Sequence, residues 1–172
     1  EDGSSYSGFE EDVNSCIYSK DDLFITGDGT LNIKANYEDG IVSKDDLTIT
    51  SGNVNVTSKD DAIRGKDSVT ITSGTFVLNA GGDGIKSSND TDTEKGFVLI
   101  KDGTFKITAK SDGIQAITKL VIDGGTFDIT SSEGLEATYI VINDGTIKVS
   151  ASDDGINASK KSTFMTPTIE IN

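Results

Sequence analysis

The chain has 172 residues, with 15 basic side chains against 29 acidic ones, a formal charge of −14, no His and no Trp. So acidic a chain lacks the basic patch that gripping nucleic-acid phosphates requires, and without His it cannot build a Ser-His-Asp or Cys-His triad, a His-ligated zinc site or an ordinary haem site. No run approaches about 20 consecutive apolar residues, so no insertion into a membrane is expected.

Cys16 is the single cysteine. It forms no disulfide within the chain and reads as a small buried hydrophobe. From there on a repeat governs the sequence. An acidic residue, then Gly or Ala, then Ile or Leu recurs at Asp39-Gly40-Ile41, Asp61-Ala62-Ile63, Asp83-Gly84-Ile85, Asp112-Gly113-Ile114, Glu133-Gly134-Leu135 and Asp154-Gly155-Ile156, at steps of 22, 22, 29, 21 and 21 residues. Residues 87–96 account for the long step as an insertion. After each junction comes a short apolar alternation, Leu47-Thr48-Ile49 and its echoes Val69-Thr70-Ile71, Val98-Leu99-Ile100, Leu120-Val121-Ile122 and Ile140-Val141-Ile142. A second alternation follows, Val54-Asn55-Val56, then Phe76-Val77-Leu78, Phe105-Lys106-Ile107, Phe127-Asp128-Ile129 and Ile147-Lys148-Val149.

Period-two alternation of β-branched residues between Gly and Asp-Gly turns marks strands, and no window shows a helical period. Three strands and three turns per 21 or 22 residues make one rung of a right-handed parallel β-helix. The expected fold is therefore an all-β solenoid, one domain over 1–172 with seven full or partial rungs. A single rung cannot bury its apolar face alone, so the stacked inward residues are the core. The outward residues form columns. The first-strand column reads Phe24, Thr48, Thr70, Leu99, Val121, Val141, an apolar stripe over its later rungs. The second reads Asn32, Asn55, Val77, Lys106, Asp128, Lys148, and the third Tyr18, Val42, Arg64, Lys86, Gln115, Glu136, Asn157.

The junctions supply the candidate chemistry. Carboxylates on neighbouring rungs stack about 4.8 Å apart, where they repel unless they face open water, take up protons or share a cation. Hard oxygen ligands suit Ca²⁺, so the candidate metal ligands are Asp39, Asp45, Asp60, Asp61, Asp83, Asp90, Asp92, Asp112, Asp153 and Asp154. Asp and Asn are also simply good turn residues. The insertion alternates acids at Asp90 and Asp92, without the spacing of an EF-hand, and is expected to lie beside Asp83. On the third column Arg64, the one Arg, and Lys86 either neutralise the acids or grip the carboxylate of an acidic sugar, with Gln115 and Asn157 free to bond sugar hydroxyls.

With its rung written as Ser43-Lys44-Asp45-Asp46-Leu47, Asp60-Asp61-Ala62-Ile63-Arg64-Gly65-Lys66-Asp67, Gly81-Gly82-Asp83-Gly84-Ile85-Lys86 and Asp153-Asp154-Gly155-Ile156-Asn157, the chain resembles a bacterial carbohydrate-binding domain of right-handed β-helix fold, akin to pectate lyases and found in secreted clostridial proteins. The resemblance implies calcium binding, an extracellular location and adhesion to plant cell-wall polysaccharide such as cellulose or pectin. The absence of Trp and scarcity of Tyr argue against ring stacking on cellulose and favour a charged ligand. A non-catalytic binding module is thus expected. The alternatives are a polysaccharide lyase, whose base would have to be Arg64, Lys66 or Lys86 held protonated by the acids around it, and a homo-oligomer stacking open rungs end to end into extracellular fibres.

Overall fold

The computed structural model describes residues 1–7 and 13–172. Its strands fall into three parallel sheets, each strand pairing with the equivalent strand of the rungs before and after. The first sheet holds β1 (Ser15–Ser19), β4 (Asp39–Ser43), β7 (Ile63–Gly65), β10 (Ile85–Ser87), β13 (Asp112–Gln115), β16 (Glu133–Ala137) and β19 (Ile156–Ala158). The second holds β2 (Leu23–Ile25), β5 (Asp46–Ile49), β8 (Ser68–Ile71), β11 (Phe97–Ile100), β14 (Lys119–Ile122), β17 (Tyr139–Ile142) and β20 (Thr168–Ile171). The third holds β3 (Thr30–Lys34), β6 (Asn53–Thr57), β9 (Thr75–Ala80), β12 (Thr104–Ala109), β15 (Thr126–Ser131) and β18 (Thr146–Ala151). This is the expected parallel β-helix of three strands per rung.

Register turns the repeat into columns. Ile41, Ile63, Ile85, Ile114 and Leu135 stack inside the first sheet, all with no exposed surface. Leu47, Val69, Val98, Leu120 and Ile140 do the same in the second. In the third, Phe76, Phe105 and Phe127 stack with ring centroids 4.7 and 4.6 Å apart and planes within 6°. Their spacing is that of the strands themselves, so identical side chains on successive rungs meet face to face. Cys16 is half-buried and packs against this core.

The corner between the second and third sheets is a column of Gly27, Gly52, Gly74, Gly103, Gly125 and Gly145, all with φ between 110° and 137°. Only glycine adopts that conformation without strain, which is why Gly52, Gly74, Gly103, Gly125 and Gly145 each stand just before the Thr or Asn that opens a third-sheet strand, while Gly27 stands three residues before Thr30.

The outward columns hold their expected register but not always their expected exposure. Val42 is 1% exposed, Glu136 6% and Val141 7%, although all three point away from the core. Flat parallel strands let the neighbouring rungs' side chains close over an outward residue, so alternation sets direction and not exposure. One regular feature lies outside the columns read from sequence. Thr75, Thr104, Thr126 and Thr146 stack along the outer edge of the third sheet, all exposed.

Candidate functional site

The junction acids form a buried ladder at the corner where the third sheet turns into the first. Asp39, Asp61, Asp83 and Asp112 are each no more than 6% exposed. The Asp61 N–H donates to Oδ1 of Asp39 (3.0 Å), the Asp83 N–H to Oδ1 of Asp61 (2.9 Å), and the Asp112 N–H to Oδ1 of Asp83 (2.9 Å). One oxygen each of Asp39, Asp61 and Asp83 thus satisfies the backbone of the next rung, so the acid at these turns is part of the repeat's own hydrogen bonding.

The second oxygens are taken by third-column residues, either three positions on or one rung further along. Arg64 Nη2 donates to Oδ2 of Asp39 at 2.6 Å, joined there by Asn14 Nδ2 at 3.0 Å. Lys86 Nζ reaches Oδ2 of Asp83 at 2.7 Å and Oδ2 of Asp61 at 3.3 Å. Gln115 Nε2 donates to Asp112 and, at 3.3 Å, to Glu136, and Asn157 Nδ2 donates to Glu133 at 2.9 Å. Lys161 pairs with Glu136, which also accepts from Ser159 at 2.7 Å. Arg64 and Lys86, expected either to neutralise the acids or to grip a sugar carboxylate, pair with the acids of the ladder, and Gln115 and Asn157, expected to bond sugar hydroxyls, donate to its carboxylates.

Among the described residues, two groups of carboxylates come within 4.8 Å of one another, close enough to hold a metal ion: Asp39 with Asp60 and Asp61, and Asp112 with Glu133 and Glu136. Their surroundings differ. Burial pushes Asp39 up to about 6, against the pull of Arg64. Burial also raises Asp61, countered by Lys86 and reinforced by Asp83. Asp39 and Asp61, the two buried members of this first group, already hold a cationic side chain. In the second group burial, with the charges of Asp83 and Glu136, pushes Asp112 up to about 7. Burial also acts on Glu136, but Lys161 and Ser159 hold it below the usual range. The residues facing this group from the third column are amides, Gln115 and Asn157, and an amide presents an oxygen as readily as a nitrogen. Three carboxylates, two amides and a single Lys form a donor set that fits a hard divalent cation; the Asp39 group would first have to release Arg64.

The other candidate ligands are dispersed. Asp83 stays in the ladder, paired with Lys86. Asp153 and Asp154 are exposed on the last junction, and Asp45 is half-buried on the corner between the first and second sheets. Asp90 and Asp92 belong to the insertion, which folds over Asp67 and not Asp83. Asn89 donates to Asp67 at 2.6 Å, Lys95 pairs with it at 2.6 Å, and Asn89 Oδ1 accepts from the Thr91 and Asp92 backbone. The Asn89 and Lys95 bonds overcome burial and hold Asp67 low. Sequence reasoning did not name Glu133 and Glu136 as ligands. The signal was an Asp-x-x-Gln followed one rung later by Glu-x-x-Glu, where the earlier rungs read Asp-x-x-Arg and Asp-x-x-Lys.

A family model described as carbohydrate-binding domain-containing protein matches residues 1–172. A carbohydrate-binding domain-containing protein of Acetivibrio thermocellus is 51% identical over 43 residues, 25% of this chain and 15% of that protein. The solved structure of a polysaccharide lyase-like protein from C. thermocellum, a gadolinium derivative, shares 32% identity at a TM-score of 0.70, covering 97% of this chain and 58% of that one. The chain thus spans less than two thirds of both relatives.

Proposed function

This chain belongs to the family of carbohydrate-binding domain-containing proteins, and we propose that it serves as a non-catalytic, extracellular module that adheres to plant cell-wall polysaccharide, with Ca²⁺ as a structural ion. The observation that carries the non-catalytic reading is the occupation of the ladder. A lyase needs a free base beside a neutralised uronate, and a glycosidase needs a reachable acid. Arg64 is tied to Asp39 and Lys86 to Asp61 and Asp83, and Lys86 is held above its usual range by Asp61 and Asp83 against the effect of burial. The carboxyls pushed up towards neutrality, Asp39 and Asp112, are 1% and 6% exposed, out of reach of a glycosidic oxygen.

The test is sedimentation with insoluble cellulose and with calcium-gelled pectin, alongside the ultraviolet absorbance of unsaturated sugar and a reducing-sugar assay. Binding without product is the expected result. Accumulating product overturns the non-catalytic reading, and failure to bind any polysaccharide overturns the module.

Calcium would sit on Asp112, Glu133 and Glu136, with the amide oxygens of Gln115 and Asn157. It would neutralise the charge left over on this stretch of the ladder, where Lys161 pairs with Glu136 alone of the three acids. Its effect depends on pH in a definite sense. Asp39 and Asp112 have folded values raised to about 6 and about 7 above their ordinary 3.8, so without calcium their contribution to stability is complete below about 4 and is lost as pH rises through 6 and 7. Asp67 and Glu136 are lowered and act oppositely, their contribution disappearing only in stronger acid. In chelator the melting temperature should therefore be higher near pH ~5 than near pH ~8. Calcium must displace the proton of Asp112, so its stabilisation should be larger near pH ~8 than near pH ~5 in scanning calorimetry. Glu133→Gln should remove most of the calcium increment, and an equal increment at both pH values would exclude Asp112 as a ligand.

A further inference from the structure

The outer face of the second sheet changes character along the helix. Over its first rungs it presents Phe24, Thr48 and Thr70, but over β11, β14 and β17 it presents Phe97 and Leu99, then Lys119 and Val121, then Tyr139, with Val141 beside it nearly buried. Leu99, Val121 and Val141 are in direct register. Phe97, Lys119 and Tyr139 stand one position before Val98, Leu120 and Ile140, which are also in register, so the two rings occupy one column with a single rung between them. That separation is two strand spacings, about 10 Å. Tyr139 is held in place: its hydroxyl donates to Glu170, and Lys119 Nζ lies 5.4 Å over its ring. Next to the aliphatic column, at the strand ends, runs a polar one of exposed Lys101, Asp123 and Asn143, with Asn143 donating to Asp123 at 2.8 Å.

We propose that this platform binds a neutral, 1,4-linked β-glucan chain lying along the helix axis. The inference rests on the carbohydrate-binding reading and names the face and the polymer. A pyranose with equatorial hydroxyls has flat C–H faces and polar edges, and the sheet presents rings, a flat aliphatic floor and a polar rim in that order. The advance of one such sugar along its chain is close to one rung spacing, so alternate units, which show the same face, fall over Phe97 and Tyr139. Charge selects the neutral polymer. The chain carries −14 overall, Arg64 and Lys86 are already paired, and Lys119 is the one charged side chain in the two platform columns over these three rungs. A polyuronate would meet the overall negative charge of the chain, with Lys119 and Lys101 on this face set against Asp123 and Glu170.

The experiment is calorimetry and pull-down with cellohexaose and amorphous cellulose, in chelator and moderate salt. Three proteins are compared: the wild type, Phe97→Ala with Tyr139→Ala, and the ring-keeping Phe97→Tyr with Tyr139→Phe. Removal of both rings should weaken binding at least tenfold, and the ring-keeping pair should bind as the wild type does. Wild-type binding should also change tyrosine emission, in a protein without Trp, and should protect Lys119 and Lys101 from acetylation read by mass spectrometry; this keeps the test decisive should the alanine variant fold poorly. Unchanged affinity without the rings, or no protection of Lys119, overturns the platform and leaves the family reading intact. Binding confined to polyuronates overturns the choice of polymer. Absence of binding to every polysaccharide overturns both.

Discussion

Lys86→Met is expected to cost about 3–5 kcal/mol in urea unfolding near neutral pH, because it strands two buried carboxylates. Lys86 spans Asp61 and Asp83, whose side chains are 4% and 3% exposed, and Arg64 stands 4.0 Å from Asp61, too far to replace it. Neither aspartate can turn to water without releasing the N–H of the next rung. The loss should shrink as pH falls, since burial already raises Asp61 and removal of the Lys favours its protonation further. Lys86→Gln gives a sharper form of the same test. It makes this rung resemble the one carrying Gln115, and calcium should then recover part of the stability it does not supply to the wild type at that position. A pH-independent loss below 1 kcal/mol, insensitive to calcium, would mean that the ladder does not need its cations.

Phe105→Ala should also cost about 3–5 kcal/mol, towards the upper end. The ring is 1% exposed and stacks on both faces, against Phe76 and Phe127, so its removal leaves a cavity and two rings each short of a partner. In a solenoid each rung contacts only its neighbours, so no distant element compensates. Phe105→Leu should recover much of the loss, because Leu78 and the other aliphatic columns show that this core accepts branched side chains at rung spacing. Equilibrium unfolding followed by circular dichroism separates the two variants. A small effect of Phe105→Ala would place the stability of these rungs in the Ile and Leu columns instead.

The fold was legible because the period is written in small, local signals. Ile41, Ile63 and Ile85 follow an acid and a small residue every 22 positions, and alternation from each of them determines which side chains face inward. The site was legible only in its membership. Asp39, Asp61, Asp83 and Asp112 were identified as metal ligands, and Arg64 and Lys86 either as their counter-charges or as sugar ligands, with nothing in the spacing to choose between the two. Each cation reaches across the corner to the acid of the rung before it, Arg64 to Asp39 and Lys86 to Asp61 as well as to Asp83, which joins them into one ion-paired ladder, and alternation describes neither the corner nor that reach. Exposure was less legible still, as Val42 and Val141 show.

The sequence by itself determined the solenoid, its rung length, its columns and its excess of negative charge, since each depends on residue type at a fixed interval. Only the tertiary structure decided which acids keep a cation of their own and which do not, and that Phe97 and Tyr139, separated by 42 positions, share a column. The same scarcity of aromatic residues that counted against stacking in the sequence counts for little once two of them are placed in line. The physical reason is that a parallel β-helix brings together residues a whole rung apart. Contacts between rungs depend on how side chains lean across strands about 4.8 Å apart, and that is settled by packing and charge over several rungs at once.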